Sequence, residues 1–547
     1  MTRVTNSRHW EVRDFEVIRS TFTFELRVNL KTMKMKKLFS IAIGFSTLVI
    51  PTPATSQNFL DESFGINGIA TFGLGISYEE LSGMDIQTDG KIVAVGMDAE
   101  PDYNQAIVLR TMPDGSADNT FGSNGVVHIG ALAEDISTDL FDIRIAPDGK
   151  IVACGKTFEF GSAYLVVRLL SDGTPDNSFG INGIVKFVAD ATAIYTKSYS
   201  LDFQSDGSIV LAGELYQNGD NDWEGSVMKL NSDGSVDTSF GTGGAYILDP
   251  DDYEDEIVSV AVDGQNRIVF TGKVRESGDQ FVVGRLTANG LPDASFGGIG
   301  YVYAIDGGYG RDVIVTSTGD ILAVGFSPYG GTGEQDMVLV RFNDDGTLDN
   351  EFGEAGIRFH ELEPYTTLGY QVVEMPDGTY LMGSVFGDLN EYSEFMLTRY
   401  AVNGDLMTTF GNNGNVQTQG LEISADDLSG IGLVVQPDGK ILLSSRTNAT
   451  GNGDGIIVRF MGDAANAVNE TGEQSVSLRP NPAKDVITIK SSMPAESVSI
   501  LDVGGKLIFT QNMTSNIIDI TSLPAGIYSM RLTMSHESEV IRMFVKE

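Results

Sequence analysis

One ten-residue pattern returns until most of the chain is used up. QTDGKIVAVG (Gln87–Gly96) comes back as APDGKIVACG, QSDGSIVLAG, VDGQNRIVFTG, TSTGDILAVG, MPDGTYLMGS and QPDGKILLSS. Its turn glycines, read as Gly90, Gly149, Gly207, Gly264, Gly319, Gly378 and Gly439, lie 55 to 61 residues apart, so the chain is built from one duplicated unit. A period this long, filled with short strands, predicts a propeller or an array, because no single unit can bury its own apolar faces.

Each unit carries further signals at fixed offsets. An apolar strand ends in a cation, at Arg110, Arg168, Lys229, Arg285, Arg341, Arg399 and Arg459. Four residues after each of the first six comes Asp-Gly or Asn-Gly, and eleven after comes Phe-Gly, at Phe121, Phe179, Phe240, Phe296, Phe352 and Phe410. Asp118, Asp176, Asp237, Asp293 and Asp349 sit just before five of these phenylalanines, with Met407 in the sixth. The run before the central turn alternates and the run after it is continuously apolar, as for a strand buried on both faces. Glycine accepts the positive φ of such tight turns, and aspartate bonds its own turn backbone. Four strands per unit and seven units predict an all-β chain, a seven-bladed β-propeller over 57–460. Each cation is expected to bond the aspartate that follows it and to pin one blade to the next.

The ends of the repeat region are out of phase. Phe64, in DESFGINGIATFG, precedes the first central turn, while Arg459 is followed by no Phe-Gly. The chain therefore starts on a fourth strand and stops after a third, and pairing Ile69–Phe72 with Ile456–Phe460 would close the ring without an open edge.

The D-x-x-F-G-x-x-G and Q-x-D-G-K-I-V-x-x-G patterns resemble the delta-sixty-type repeats of bacterial secreted propellers, over about residues 60–460. That resemblance implies architecture and brings no catalytic residue. Residues 461–474 are small and polar and read as a linker. Residues 475–547 read as short strands with glycine turns, a small β-sandwich. Within them RPNPA (with Pro480, Asn481 and Pro482), DVGGK (with Asp502 and Gly505) and LPAGIY (with Pro524, Gly526 and Tyr528) resemble the type A sorting domain of the type IX secretion system of Bacteroidetes. This resemblance implies the type IX machinery as a partner, and removal of the tail with release or attachment to surface lipopolysaccharide. The expected destination is the outside of the cell or the outer-membrane surface, by way of the periplasm.

The other end fits that route. From Met33 the sequence has three lysines, an apolar run from Leu38 to Ile50 and a small-residue end at Ser56, the pattern of a signal peptide over 33–56. The run is too short to span a bilayer. Residues 1–32 have mixed charge and no periodicity, and read as an over-extended start.

Composition narrows the function. With 36 basic and 75 acidic residues the formal charge is −39, the wrong sign for binding nucleic acid. A single cysteine, Cys154, excludes an intramolecular disulfide framework. His128, His360 and His536 are dispersed along the chain, and turn chemistry accounts for the repeated aspartates Asp89, Asp148, Asp206, Asp377 and Asp438. No cofactor is expected, with calcium as the one candidate: DPDDYEDE places Asp249, Asp251, Asp252 and Asp255 together, oxygen ligands suited to a hard cation, without the spacing of an EF-hand loop. Two classes of function stand: a non-enzymatic binding or adhesion module for a glycan or protein ligand, and an extracellular carbohydrate-active lyase or hydrolase on the same scaffold. Trp223, in the loop YQNGDNDWEG, points toward a carbohydrate-facing surface.

Overall fold

The computed structural model describes residues 59–462 and 477–546, less 74–77, 101–102, 134–136, 159–161, 189–192, 218–221, 251–252, 276–277, 329–334, 363–364, 388–392, 419, 424–430, 450–452, 480–482, 491–494, 503–505, 514, 525 and 535–538. The signal-peptide, linker and first sorting-motif readings fall largely outside these residues.

The fold is all-β apart from one helical turn at Ile129–Ala133. Six four-stranded antiparallel sheets are each made of contiguous chain, and their first strands are Tyr78–Ile86, Thr138–Ile145, Ala193–Phe203, Glu256–Val262, Tyr309–Val315 and Thr366–Glu374. We number them sheets 1 to 6. A composite sheet takes Gly432–Val435, Ile441–Thr447 and Asp454–Phe460 from the end of the repeats and Ile69–Phe72 from their beginning. The shared strand pairs with the expected partner, antiparallel, with Ile69 opposite Val458 and Phe72 opposite Gly455. The isolated bridge Leu60–Phe460 extends the junction.

Each first strand packs on the first three strands of the sheet before it, and Tyr78–Ile86 packs on the composite sheet. The second strands show why their sequence is apolar at every position. Ile92 and Ala94 enter the cluster shared with the composite sheet, through Leu442 and Ile457, whereas Val93 and Val95 enter the cluster shared with sheet 2. A two-residue side-chain period thus feeds two joints, and neither face is left for water.

The arginine of the third strand ties five of these joints together, at Arg110, Arg168, Arg285, Arg341 and Arg459. Arg168 Nε donates to Asp176 Oδ2 at 2.8 Å and Nη1 to the Ser232 carbonyl of the following sheet at 2.5 Å, with the guanidinium 4.4 Å from the Phe179 ring. Arg285 repeats this with Asp293, the Asp344 carbonyl and Phe296. Arg459 finds its aspartate and phenylalanine at the other end of the chain: Nη2 lies 2.9 Å from Asp61 Oδ2, the Phe64 ring is 4.6 Å away, and Nη1 donates to Pro113 O at 2.5 Å. Where Met407 replaces the aspartate, Arg399 turns to Asp377 and Thr379 instead. Phe64, Phe121, Phe179, Phe240, Phe296 and Phe352 also fill the space over a turn glycine of the next sheet. A Cβ on Gly173 would sit 2.6 Å from Phe121, and one on Gly115 2.9 Å from Phe64.

One turn assignment is corrected. In the fourth repeat the positive φ belongs to Asn266 (61°) and not to Gly264: the turn Asp263–Arg267 matches Gln87–Lys91 bond for bond, with Asn266 in the place of Gly90. Asn tolerates that conformation better than most residues.

Beyond the repeats, Ser477–Arg479, Val486–Lys490 and Ile517–Asp519 form one antiparallel sheet. Leu507–Asn512, Ala495–Asp502, Gly526–Met534 and Glu539–Lys546 form another. The two share one apolar cluster with Ile487, Ile489, Val498, Ile500, Ile518, Met530 and Leu532.

Candidate functional site

The first strands meet at a hub, and each of the six in sheets 1 to 6 carries a β-bulge at the same place. The ladder slips between Leu81 and Gly83, Leu140 and Asp142, Ser198 and Ser200, Ile257 and Ser259, Gly310 and Asp312, and Gly369 and Gln371. The extra residue of a bulge leaves the pairing and its side chain is re-aimed. Here the extra residues are Ser82, Phe141, Tyr199, Val258, Arg311 and Tyr370, and all six, with Ile431, line one small cavity of about 70 Å³ at the hub. The repeat fixes the bulge and leaves its residue free to vary. Nothing in the 55-to-61-residue period marks these positions, which is why the sequence reading passed over them.

The residue after each bulge joins neighbouring first strands. Asp142 Oδ2 accepts from Leu201 N at 3.0 Å, Asp312 Oδ2 from Val372 N at 3.0 Å, and Gln371 Oε1 from Leu433 N at 2.6 Å. Ser200 and Ser259 take the same place with longer contacts to Val260 N and Val313 N. At Gly83 and Gly432 the chains approach too closely for a side chain, since a Cβ on Gly83 would lie 3.0 Å from the Phe141 carbonyl. Deeper in, Asp85 and Asp202 bond Ile145 N and Val262 N. Arg144 stands among these acids, and Asp142 first, then Asp202, Asp85 and Asp312, hold it firmly protonated against its burial. Burial in turn pushes Asp312 up to about 6.

Above this acidic tier the hub opens toward a band of aromatic and charged side chains. Lys197 Nζ lies 2.6 Å from Glu214 Oε1, and within 5.3 Å of the centres of both the Tyr199 and Trp223 rings. Trp223 also packs on Tyr216 and on Tyr195, which is 44% exposed. In the neighbouring sheet Lys273 Nζ is 3.2 Å from Glu256 Oε1, and the Tyr309 hydroxyl donates to Glu256 Oε2. Burial, reinforced by Glu256, pushes Glu214 up to about 7 against the pull of Lys197. Rings thus run from the exposed Tyr195 through Trp223 and Lys197 to Tyr199 in the cavity wall.

Of the four residues expected to hold calcium, two, Asp251 and Asp252, lie outside the described residues. Asp255 is fully buried, and its Oδ1 accepts from Arg275 N at 3.0 Å. Among the described residues no three His, Cys, Asp or Glu side chains are grouped to hold a metal ion. Cys154 is a buried thiol. Burial and the nearby Arg358 lower His360 to about 4, and its ring lies edge-on to Tyr400.

In the tail, two of the sorting motifs come together. Asp502 pairs with Tyr528 across adjacent strands, and the Tyr528 hydroxyl donates to the Pro524 carbonyl at 2.8 Å, closing the turn that Gly526 leaves. Ala483, which ends the first motif, bridges to Lys546. Pro480, Asn481, Pro482 and Gly505 lie outside the described residues.

Residues 477–547 match the family described as the secretion system C-terminal sorting domain. Residues 87–121, 146–179, 204–240, 317–352 and 436–463 match the domain of unknown function (DUF5122) beta-propeller. No curated protein matches the chain. Among solved structures the extracellular domain of a hybrid two component system from B. thetaiotaomicron is similar at 11% identity and TM-score 0.38, covering 88% of this chain and 57% of that one. PorZ, a surface component of the type-IX secretion system of Porphyromonas gingivalis, is 12% identical with TM-score 0.19, over 87% of this chain and 75% of that one. The polysaccharide lyase Uly1 is 10% identical with TM-score 0.39, over 73% and 93%. The chain is a β-propeller repeat protein with a type IX sorting tail, and the tail directs it through that secretion machinery to the cell surface or outer membrane. No described helix is long and apolar enough to cross a membrane.

Proposed function

We propose that this exported DUF5122 propeller protein is a non-enzymatic binding module that takes its ligand at the hub and the aromatic band above it. In this reading residues 57–460 form a seven-bladed propeller and the shared strand completes the last blade. Residues 461–474 are then a linker, and residues 475–547 a small sandwich that the secretion machinery recognises and removes, with attachment to surface lipopolysaccharide as one fate of the mature protein.

The observation that carries the reading is the bulge. A scaffold repeated almost unit for unit places five kinds of side chain at six equivalent positions, serine, phenylalanine, valine, arginine and two tyrosines, around one cavity. Variation confined to a wall position that the fold leaves free is what a recognition surface on a conserved frame requires. The exposed ring of Tyr195 and the half-buried rings of Tyr216 and Trp223 beside it add flat apolar faces of the kind that stack on sugar rings.

Screening the exported protein against a glycan and protein array, with and without a calcium chelator, tests this. A retained ligand whose chain length is unchanged after prolonged incubation supports a binding module. Shortening of the retained chains would instead make the protein a carbohydrate-active enzyme, and retention abolished by the chelator would place calcium in the site.

A further inference from the structure

Arg311 is unlike the other arginines described around the hub. Arg144 stands among carboxylates, and the third-strand arginines are bonded to aspartates. Arg311 is the residue that its bulge turns into the cavity. Its guanidinium lies 4.5 Å from the centre of the Tyr309 ring, 5.3 Å from Phe326 and 5.4 Å from Tyr370, and its Nε is buried with no hydrogen-bond partner. Tyr309 and Phe326 stack on each other at 13°, which gives the cation a fixed apolar seat. The aromatic faces satisfy its charge only in part, for they accept no N–H in the plane of the fork.

Its surroundings keep that charge available. The nearest carboxylate in sequence, Asp312, is committed to Ser259 Oγ, Val313 N and Val372 N. Glu214 and Glu256 are each paired with a lysine. In the cavity wall Arg144 and Arg311 stand with Asp142 and Asp312, and Arg144 is paired with Asp142, so Arg311 is the wall cation left to meet an anion. An arginine fork in a partly closed site suits a planar or tetrahedral oxyanion, which it can meet with two parallel hydrogen bonds.

We infer that Arg311 is the anchor for the carboxylate or sulfate of an acidic saccharide, whose sugar rings run outward over the band of Tyr199, Trp223 and Tyr195. The inference rests on the binding-module reading and names its ligand class. Charge alone would suit an acidic peptide as well, but the row of rings leading out of the cavity matches the alternating apolar faces of a saccharide chain.

Calorimetric titration of the full exported protein with oligogalacturonate, dextran sulfate, neutral dextran and polyglutamate tests it. Oligogalacturonate or dextran sulfate should bind, and which of the two does so identifies the oxyanion. Arg311→Gln should weaken that binding at least tenfold, and Arg311→Lys, which keeps the charge without the fork, should weaken it less. A melting temperature within the error of the parent for either variant shows that the fold is intact; if the Gln variant does not fold, the ratio of the Lys variant to the parent decides. Equal affinity in parent and variants overturns the inference, as does tighter binding of polyglutamate than of either acidic saccharide. If only neutral dextran binds, the assignment of Arg311 fails and the module stands. Absence of all binding here, together with an empty array, sinks both.

Discussion

At the scale of single residues, the repeated arginines were legible as a period but not as a geometry. The spacing from Arg168 to Asp176 and Phe179 announced a unit, and the structure adds that one side chain bonds its own loop, stacks on its own phenylalanine and reaches the next sheet. Removing the buried Arg168 leaves Asp176 with only Lys150, 3.6 Å away, so Arg168→Ala should cost about 3 kcal/mol in urea unfolding. Asp176 itself feels burial, which raises it, but the hydrogen bonds from Ser178 and the charge of Arg168 outweigh that and lower it to about 2. Its contribution is therefore present above pH ~4 and is lost as the pH falls toward that value. Glu214 has the opposite sign. Its folded value is raised to about 7, so its contribution is complete below the unfolded value near 4.5 and disappears as the pH rises through 7. Melting temperatures measured from pH 5 to 8 should decline for the parent and decline less for Glu214→Gln; parallel curves would show that Glu214 does not titrate in this window.

At the scale of strands and sheets, the sequence announced almost everything that repeats and little that does not. Alternation before the turn, the apolar run after it and the displaced Phe64 were enough to pair Ile69–Phe72 with the last strand, and the structure adds the register, Ile69 opposite Val458. The bulges were invisible because an inserted residue changes no spacing once every unit carries it, and because Ser82, Phe141, Tyr199, Val258, Arg311 and Tyr370 have no residue type in common. The turn at Asn266 was misplaced for a related reason: Gly264 attracts the eye, whereas backbone geometry selects the residue two places on. The junction of the chain ends makes a sharp prediction. Phe64 is fully buried among Ala70, Leu81, Ile107 and Ile457, so Phe64→Ala should cost about 3 to 5 kcal/mol. Deleting residues 57–73 should cost more still, since it also exposes the edge of Asp454–Phe460 and removes Asp61 from Arg459. An unchanged melting temperature after that deletion would mean that the ring does not depend on its shared strand.

At the scale of the whole molecule, the chain joins a propeller repeat region, closed by a strand from its own beginning, to a sorting tail. The tail was legible from three short motifs, and the structure brings two of them to neighbouring strands through Asp502, Tyr528 and Pro524. Removing residues 475–547 should leave the propeller in the periplasm of its host, measured by fractionation and immunoblot; export equal to that of the full chain would contradict the assignment. The ligand surface was legible only at Trp223, because exposure and convergence of side chains from different sheets are properties of the closed ring. The most direct measurement on the central claim is to repeat the ligand array with Tyr195→Ser/Trp223→Ser, a pair at the outer end of the aromatic band. Reading the hub and band as the binding surface predicts that ligands retained by the parent lose most of their signal, with export and melting temperature nearly unchanged. Full retention of those ligands by the doubly substituted protein would contradict it.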